Sequence, residues 1–206
     1  MLTVSNLECV RGERRLFRDI GFELAPGTLL EVAGPNGSGK TSLLRILCGL
    51  SHPAAGEVRW RGERIGDLAE EFRRELLYLG HHNALKGDLT PVENLVFSET
   101  LAGIAISVQA ATEAVVRMGL AGCERLPVRV LSQGQKRRVA LARLALRSDA
   151  SLWILDEPFV ALDKAAVADI AGLVAARLKG GGTVVLTTHQ EVDIAAAVRQ
   201  VLRLGS

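Results

Sequence analysis

The chain has 206 residues, 48% of them hydrophobic, which suffices for one sizeable packed domain. Its 25 basic and 23 acidic residues leave a net charge of +2 and are spread along the chain, so no one-sign block tracks a nucleic-acid backbone and nucleic acid is not expected as a partner. Cys9, Cys48 and Cys123 are odd in number, scattered and without a C-x-x-C spacing, which argues against a disulfide framework or structural zinc and for a reducing compartment.

In chain order, β-type runs come first: LTVSNLECV at 2–10, IGFEL at 20–24 and TLLEVAG at 28–34. The last runs into a glycine-rich turn and the periodic segment KTSLLRILCGL, giving strand, loop, helix. The basic clusters RGERR at 11–15 and KRR at 136–138 read as solvated faces rather than polyanion sites. After Pro53, GEVRWRGERI alternates like an exposed strand, and ELLYLG reads as a short buried one. From Pro91 to about Gly122 apolar residues recur at three- and four-residue spacings, which predicts a helical insertion.

A further helix, GQKRRVALARLALRS, leads into the apolar strand SLWILDEP. Then follow a helix over 164–178, a turn at Gly180-Gly181-Gly182, the strand TVVLTTH and a closing strand at 198–206. Strands alternating with helices imply an α/β fold with a mainly parallel sheet covered on both faces. The N-terminus lacks a charged start before an apolar run, and no stretch reaches 18 uninterrupted apolar residues, so neither secretion nor a membrane span is expected. A mean hydropathy of +0.21 leaves room for an apolar contact face.

GPNGSGKT, residues 34–41, fits G-x-x-x-x-G-K-[ST] in the context that motif needs, after a strand and opening a helix. Glycines let successive N–H groups point inward, and the helix N-terminus adds partial positive charge, so the turn suits phosphate. The expected phosphate-binding residues are Gly34, Pro35, Asn36, Gly37, Ser38, Gly39, Lys40, Thr41 and Ser42. Lys40 reaches the β- and γ-phosphates, and Thr41 gives its hydroxyl to Mg²⁺. The plain alternative is a structural glycine turn.

LWILDEP, residues 152–158, is an apolar strand that delivers two carboxylates at its end, where α/β sheets bind ligands. Asp156 is the expected Mg²⁺ residue, acting through water, and Glu157 the residue that polarises the attacking water. An Asp-Glu helix cap is the bland reading of the same pair. His189 ends the next strand, again at the crevice edge.

With LSQGQKRRVALARL at 131–144 and ALD at 161–163, these elements resemble an ATP-binding-cassette ATPase over essentially the whole chain. The resemblance implies a P-loop NTPase fold: an ABC-type nucleotide-binding domain with a RecA-like core, an N-terminal antiparallel β portion and a helical subdomain. On that reading residues 1–206 form a single domain, about 1–83 and 150–206 being core and 84–149 the helical subdomain and signature helix. It also implies ATP and Mg²⁺, and a homodimer that closes on ATP. In the family the segment Leu131-Ser132-Gln133-Gly134-Gln135 faces the γ-phosphate bound by the opposite subunit, with Ser132 and the backbone near Gly134 donating in trans. The family's usual glycine is Gln133 here, a departure that leaves that contact workable. Asp163 would belong to the loop linking the two sites, and His189 would be the switch histidine on the γ-phosphate. A helix start at Ser132 is a second anion site in its own right, and two copies related by a two-fold axis would complete each other.

Two further departures stand out. The position 23 residues before Gly34, where cassettes often stack an aromatic ring on adenine, carries Arg11, whose guanidinium can also stack. The position 12 residues before Glu93, where many cassettes carry a glutamine that senses Mg²⁺ and water and touches a membrane subunit, carries His81. Imidazole can donate or accept, so part of that role survives. Metal ligation by His81 and His82, or a solvated loop, are the other readings.

The stretch YLGHHNALKGDLTPVENL, with GEVRWRG, LPVRVLSQGQKRRVALARL and LWILDEPFVALD, is most similar to the ATP-binding subunits of the cytochrome c biogenesis haem-export family. That resemblance implies a peripheral protein on the cytoplasmic side of the inner membrane, paired with integral membrane subunits of the cytochrome c maturation system. Its ATP hydrolysis would support haem delivery or release of a haem-loaded chaperone. The alternative is a soluble cassette acting as an assembly or regulatory module. A small-molecule kinase would share the phosphate turn but gives no reason for LSQGQ.

Overall fold

A computed structural model describes residues 1–205, the side chain of Ala69 apart. The strands fall into two sheets. One is antiparallel, ordered β2-β1-β4-β5, from β1 (Leu2–Arg11), β2 (Arg14–Leu24), β4 (Ala55–Trp60) and β5 (Glu63–Arg64). The other is parallel throughout, ordered β6-β7-β8-β3-β9, from β3 (Thr28–Ala33), β6 (Leu76–Leu79), β7 (Leu152–Asp156), β8 (Thr183–Thr187) and β9 (Val198–Arg203).

The parallel strands at the centre are buried on both faces, which is why β7 and β8 read as continuous apolar runs. Alternate residues feed two cores. Leu152 and Ile154 join Leu30, Val32 and Val185 under the antiparallel sheet and α1 (Lys40–Leu47), whose Leu43, Leu44, Ile46 and Leu47 are buried. Trp153 and Leu155 join Leu29, Val184 and Leu186 under α3 (Pro91–Leu101), α4 (Val108–Arg117), α5 (Gln133–Leu141), α6 (Arg143–Leu146) and α7 (Lys164–Lys179). The sheet is thus covered on both faces, with an antiparallel sheet as part of one cover.

Several elements depart from the sequence expectation. β2 begins at Arg14, six residues before the expected run, because pairing to β1 extends through a charged, largely exposed stretch. GEVRWRGERI is not one exposed strand: it turns back at Arg61-Gly62 into the β4–β5 pair, with Val58 and Trp60 buried. A short helix, α2 (Ala69–Glu75), was not anticipated. The expected helical insertion is present as two helices, the second capped by Ser107, which accepts from Ala110 N at 3.0 Å. The following helix breaks at Ala142 into α5 and α6. The closing strand is described as Val198–Arg203, and Ser206 lies outside the described residues. No helix among the described residues is long and apolar enough to cross a membrane.

The Thr90-Pro91-Val92-Glu93-Asn94 segment has a local cause. Thr90 and Glu93 form a capping box with Pro91 in the first turn, and the hydrogen bonds from Thr90 hold the Glu93 carboxyl below its usual range. Asn94, buried, bonds Lys86 N (2.7 Å) and the carbonyls of Lys86 (3.0 Å), Leu89 (3.3 Å) and Thr90 (3.0 Å). One amide therefore folds the loop that follows His81 and His82 back onto α3.

Candidate active site

Parallel pairing brings the C-terminal ends of β3, β6, β7 and β8 to one edge of the sheet, the position where α/β folds bind ligands. β3 delivers the glycine-rich turn, β7 delivers Asp156 and Glu157, and β8 lies between them with Thr187 paired to both Val32 and Asp156. β6 delivers Gly80 and His81 beside β7.

The turn at 34–39 is shaped by backbone, not side chains. Gly34 adopts φ 151°, and a Cβ there would come 2.5 Å from Leu204 O and 2.7 Å from Ser38 Oγ. Ser38 Oγ is buried without a hydrogen-bond partner, a donor left free inside the cradle. Lys40, 8% exposed, folds back to donate to the carbonyls of Gly34 (2.7 Å) and Pro35 (3.2 Å). An ammonium parked on carbonyls at the mouth of a helix is poised to exchange them for phosphate oxygens.

A chain of hydrogen bonds ties the strand ends together. Thr41 Oγ1 donates to Asp156 Oδ2 (2.8 Å), Thr187 Oγ1 donates to Asp156 Oδ1 (2.7 Å), and Glu157 N donates to Thr187 Oγ1 (2.9 Å). Glu157 has φ 50°, a left-handed conformation that costs a non-glycine residue about 1–3 kcal/mol. Its carboxylate Oε1 meets His189 Nε2 at 3.1 Å. The Thr41 hydroxyl and Asp156 carboxylate are adjacent hard oxygen donors, a set that fits a divalent cation of the Mg²⁺ type.

These groups border a cavity of about 720 Å³ lined by Asn36, Gly37, Gly39, Lys40, Thr41, Ser42, His81, Glu157 and His189, with Arg14 and Leu16 from β2. Gly34, Pro35, Ser38 and Asp156 are not in that lining, but Gly34 and Pro35 accept from Lys40 and Asp156 from Thr41. Arg11 is not among the lining residues: its guanidinium donates to Ser51 Oγ at 3.2 Å. The two-residue turn sets Arg11 opposite Arg14, and it is Arg14 that faces the cavity. The RGERR cluster is therefore not simply a solvated face.

A second cavity, about 560 Å³, shares Thr41 and His81 with the first and is lined further by Arg45, Tyr78, His82, Arg137 and Arg143. His81 faces both cavities and His82 only this one. Their rings stand nearly perpendicular, centroids 5.5 Å apart. Burial pushes the Tyr78 phenol up to about 12.

The LSQGQ segment lies elsewhere. Ser132 caps α5, with Gln135 N donating to Ser132 Oγ (3.2 Å) and Ser132 N to Gln135 Oε1 (2.9 Å). Gln133 is exposed. A Cβ on Gly134 would lie 3.1 Å from Ala161 O, so the loop before Asp163 passes directly over it. Asp163 caps α7 through Ala166 N (2.8 Å) and pairs with Arg138. Ser132, Gly134, Gln135 and Asp163 are thus neighbours of one another and not of the first cavity. Sequence reading missed Thr187, Arg14 and Arg137. Only the first had a local signal, as a polar end to an apolar strand.

The description "ABC transporter" matches residues 17–160. Proteins called cytochrome c biogenesis ATP-binding export protein CcmA are similar from end to end. The one from Dechloromonas aromatica is 55% identical, covering 100% of both chains. The one from Aromatoleum aromaticum is 56% identical over 95% of this chain and 91% of its own. Among solved structures, a dimeric bacterial ABC transporter cassette superposes with a TM-score of 0.85 at 26% identity, over 98% of this chain and 94% of that one. A dimeric post-hydrolysis cassette bound to ADP and Pi gives 0.81 at 26%, over 92% and 88%. The chain belongs to the ABC transporter family, as an ATP-binding cassette of the cytochrome c biogenesis export type.

Proposed function

We propose that the chain is the ATP-hydrolysing subunit of an ABC transporter complex that energises c-type cytochrome biogenesis, through haem delivery or release of a haem-loaded chaperone at the inner membrane. The observation that carries this is the convergence of the phosphate turn, the Thr41–Asp156 pair and the Glu157–His189 pair on one sheet edge, in a chain similar along its whole length to export proteins of that name.

In this reading residues 1–206 act as one cassette, with 84–149 as its helical part. The N–H groups of the 34–41 turn and Lys40 receive the β- and γ-phosphates of ATP. Thr41 and Asp156 hold Mg²⁺, which when bound spreads the charge developing on the transferred phosphoryl group. Glu157 accepts a hydrogen bond from the attacking water and sets it in line. His189 keeps that carboxylate and the γ-phosphate in register, and His81 contacts the water side from the β6 end. Arg14, which faces the cavity, meets the nucleotide in place of Arg11, whose guanidinium is turned to Ser51.

Two copies meet head to tail, Ser132, Gly134 and Gln135 of one facing the γ-phosphate of the other, with Asp163 between the sites. Membrane subunits dock at the second cavity, where His81 reports the state of the nucleotide. The chain then works as a peripheral protein on the cytoplasmic side of the inner membrane. A tagged copy co-expressed with integral membrane subunits of the cytochrome c maturation system is expected in the membrane fraction. Full recovery in the soluble fraction rejects the transporter assignment.

A further inference from the structure

Arg137 belongs to the KRR cluster expected to be solvated, yet it is 5% exposed. It stands on α5, five residues after the Ser132 cap. Its guanidinium finds no carboxylate partner among the described residues, and burial lowers its pKa from the usual arginine value. It is satisfied by acceptors on two other segments instead. Nη2 donates to Glu157 O (2.7 Å) and Asp156 O (3.1 Å), and Nη1 donates to Asn83 Oδ1 (3.0 Å) and Gly80 O (3.4 Å). Nε is buried and unpartnered.

A buried charge paired to backbone rather than to a counter-ion is expensive, so the geometry it fixes calls for an explanation. One set of acceptors surrounds Glu157. That residue is held left-handed at φ 50°, its N–H on Thr187 and its carbonyl on Arg137, so the peptide planes on both sides are pinned. The other set, Gly80 and Asn83, flanks His81 and His82. A planar fork with several donors can span both sets at once, and a lysine ammonium, a point charge, cannot.

We infer that Arg137 is a positioning residue for hydrolysis: it fixes the Glu157 backbone and the His81 loop to α5, so that a shift of the Ser132 end of α5 re-aims both. The inference rests on the reading of Glu157 as the water-polarising residue. It also gives a route by which the site completed by the second copy governs the chemistry of this one.

The test is steady-state hydrolysis by the full-length chain in membranes containing its co-expressed membrane subunits, for Arg137→Lys, Arg137→Gln, Asn83→Ala and Glu157→Gln, with thermal melts of each. Positioning predicts that Arg137→Lys melts near wild type and keeps KM for ATP within about twofold, while kcat falls about tenfold or more. Asn83→Ala, which removes one side-chain acceptor, lowers kcat about threefold at unchanged KM and carries the test if both Arg137 variants fail to fold. Rescue of full kcat by lysine overturns the inference, as does a loss that scales only with the unfolded fraction, or wild-type kcat in Asn83→Ala when the Arg137 variants do not fold. Near-normal hydrolysis in Glu157→Gln instead overturns the assignment of Glu157 itself, so the two failures are distinct.

Discussion

Thr187 donates its hydroxyl to Asp156 Oδ1 across 2.7 Å and accepts the backbone N–H of Glu157 at 2.9 Å. One buried hydroxyl therefore orients the acid proposed to hold the cation and the one proposed to polarise water. Thr187→Val keeps the shape but leaves the N–H unpaired and the carboxylate one donor short, at about 1–3 kcal/mol. Hydrolysis should fall about 10- to 100-fold, since each 1.4 kcal/mol is tenfold. Turnover with excess ATP checks it, and unchanged kcat would place Thr187 outside the machinery.

Arg14 lines the first cavity and Arg11 does not. Arg14→Ala should raise KM for ATP about three- to tenfold, a loss of roughly 1 kcal/mol of uniform binding, with kcat little changed. Arg11→Ala should stay within about twofold. Nucleotide titration of both variants decides which guanidinium serves the ligand, and the reverse ranking restores the adenine role to Arg11.

His81, proposed to take the place of an amide, borders both cavities. His81→Gln should retain ATPase activity within about threefold, under 0.7 kcal/mol. If hydrolysis persists but holocytochrome c is not made, the imidazole serves coupling to the membrane subunits and not the chemistry. Loss of hydrolysis itself would show that glutamine is no substitute here.

Tyr78 gives a pH dependence of known sign. Its phenol is pushed up to about 12 in the folded chain by burial, against about 10 when unfolded. The folded state therefore holds this proton more tightly, and the corresponding stability is complete below pH 10 and lost as pH rises toward 12. Tyr78→Phe removes the titration, so its unfolding free energy should fall less steeply over pH 10–12, by at most about 1 kcal/mol per pH unit. Urea midpoints across that range measure it, and parallel curves for both proteins would contradict it.

What the sequence made legible was what is local along the chain. The turn at 34–41 and the acids ending LWILDEP each signal their geometry within a few residues. Thr187 showed only as a polar end to an apolar strand, because its partner Asp156 is 31 residues away and meets it through strand register. Arg137 read as one of three solvated bases, because a charge cluster does not reveal which member turns inward. Arg11 and Arg14 were separable only once pairing across the β1–β2 turn fixed which one faces the cavity. The β4–β5 turn was misread because Arg61 takes φ 54°, a conformation arginine rarely signals.

In the proposed function, ATP hydrolysis at this crevice drives cytochrome c biogenesis. The most direct measurement is covalent haem attachment to a reporter c-type cytochrome in cells lacking their own cassette of this type. Wild type, Glu157→Gln and Lys40→Ala are each expressed to equal level. Holocytochrome is expected with wild type and with neither variant, Glu157→Gln accumulating as an ATP-bound dimer with turnover reduced about 100-fold or more. Holocytochrome made at the wild-type level by Glu157→Gln or Lys40→Ala would contradict it.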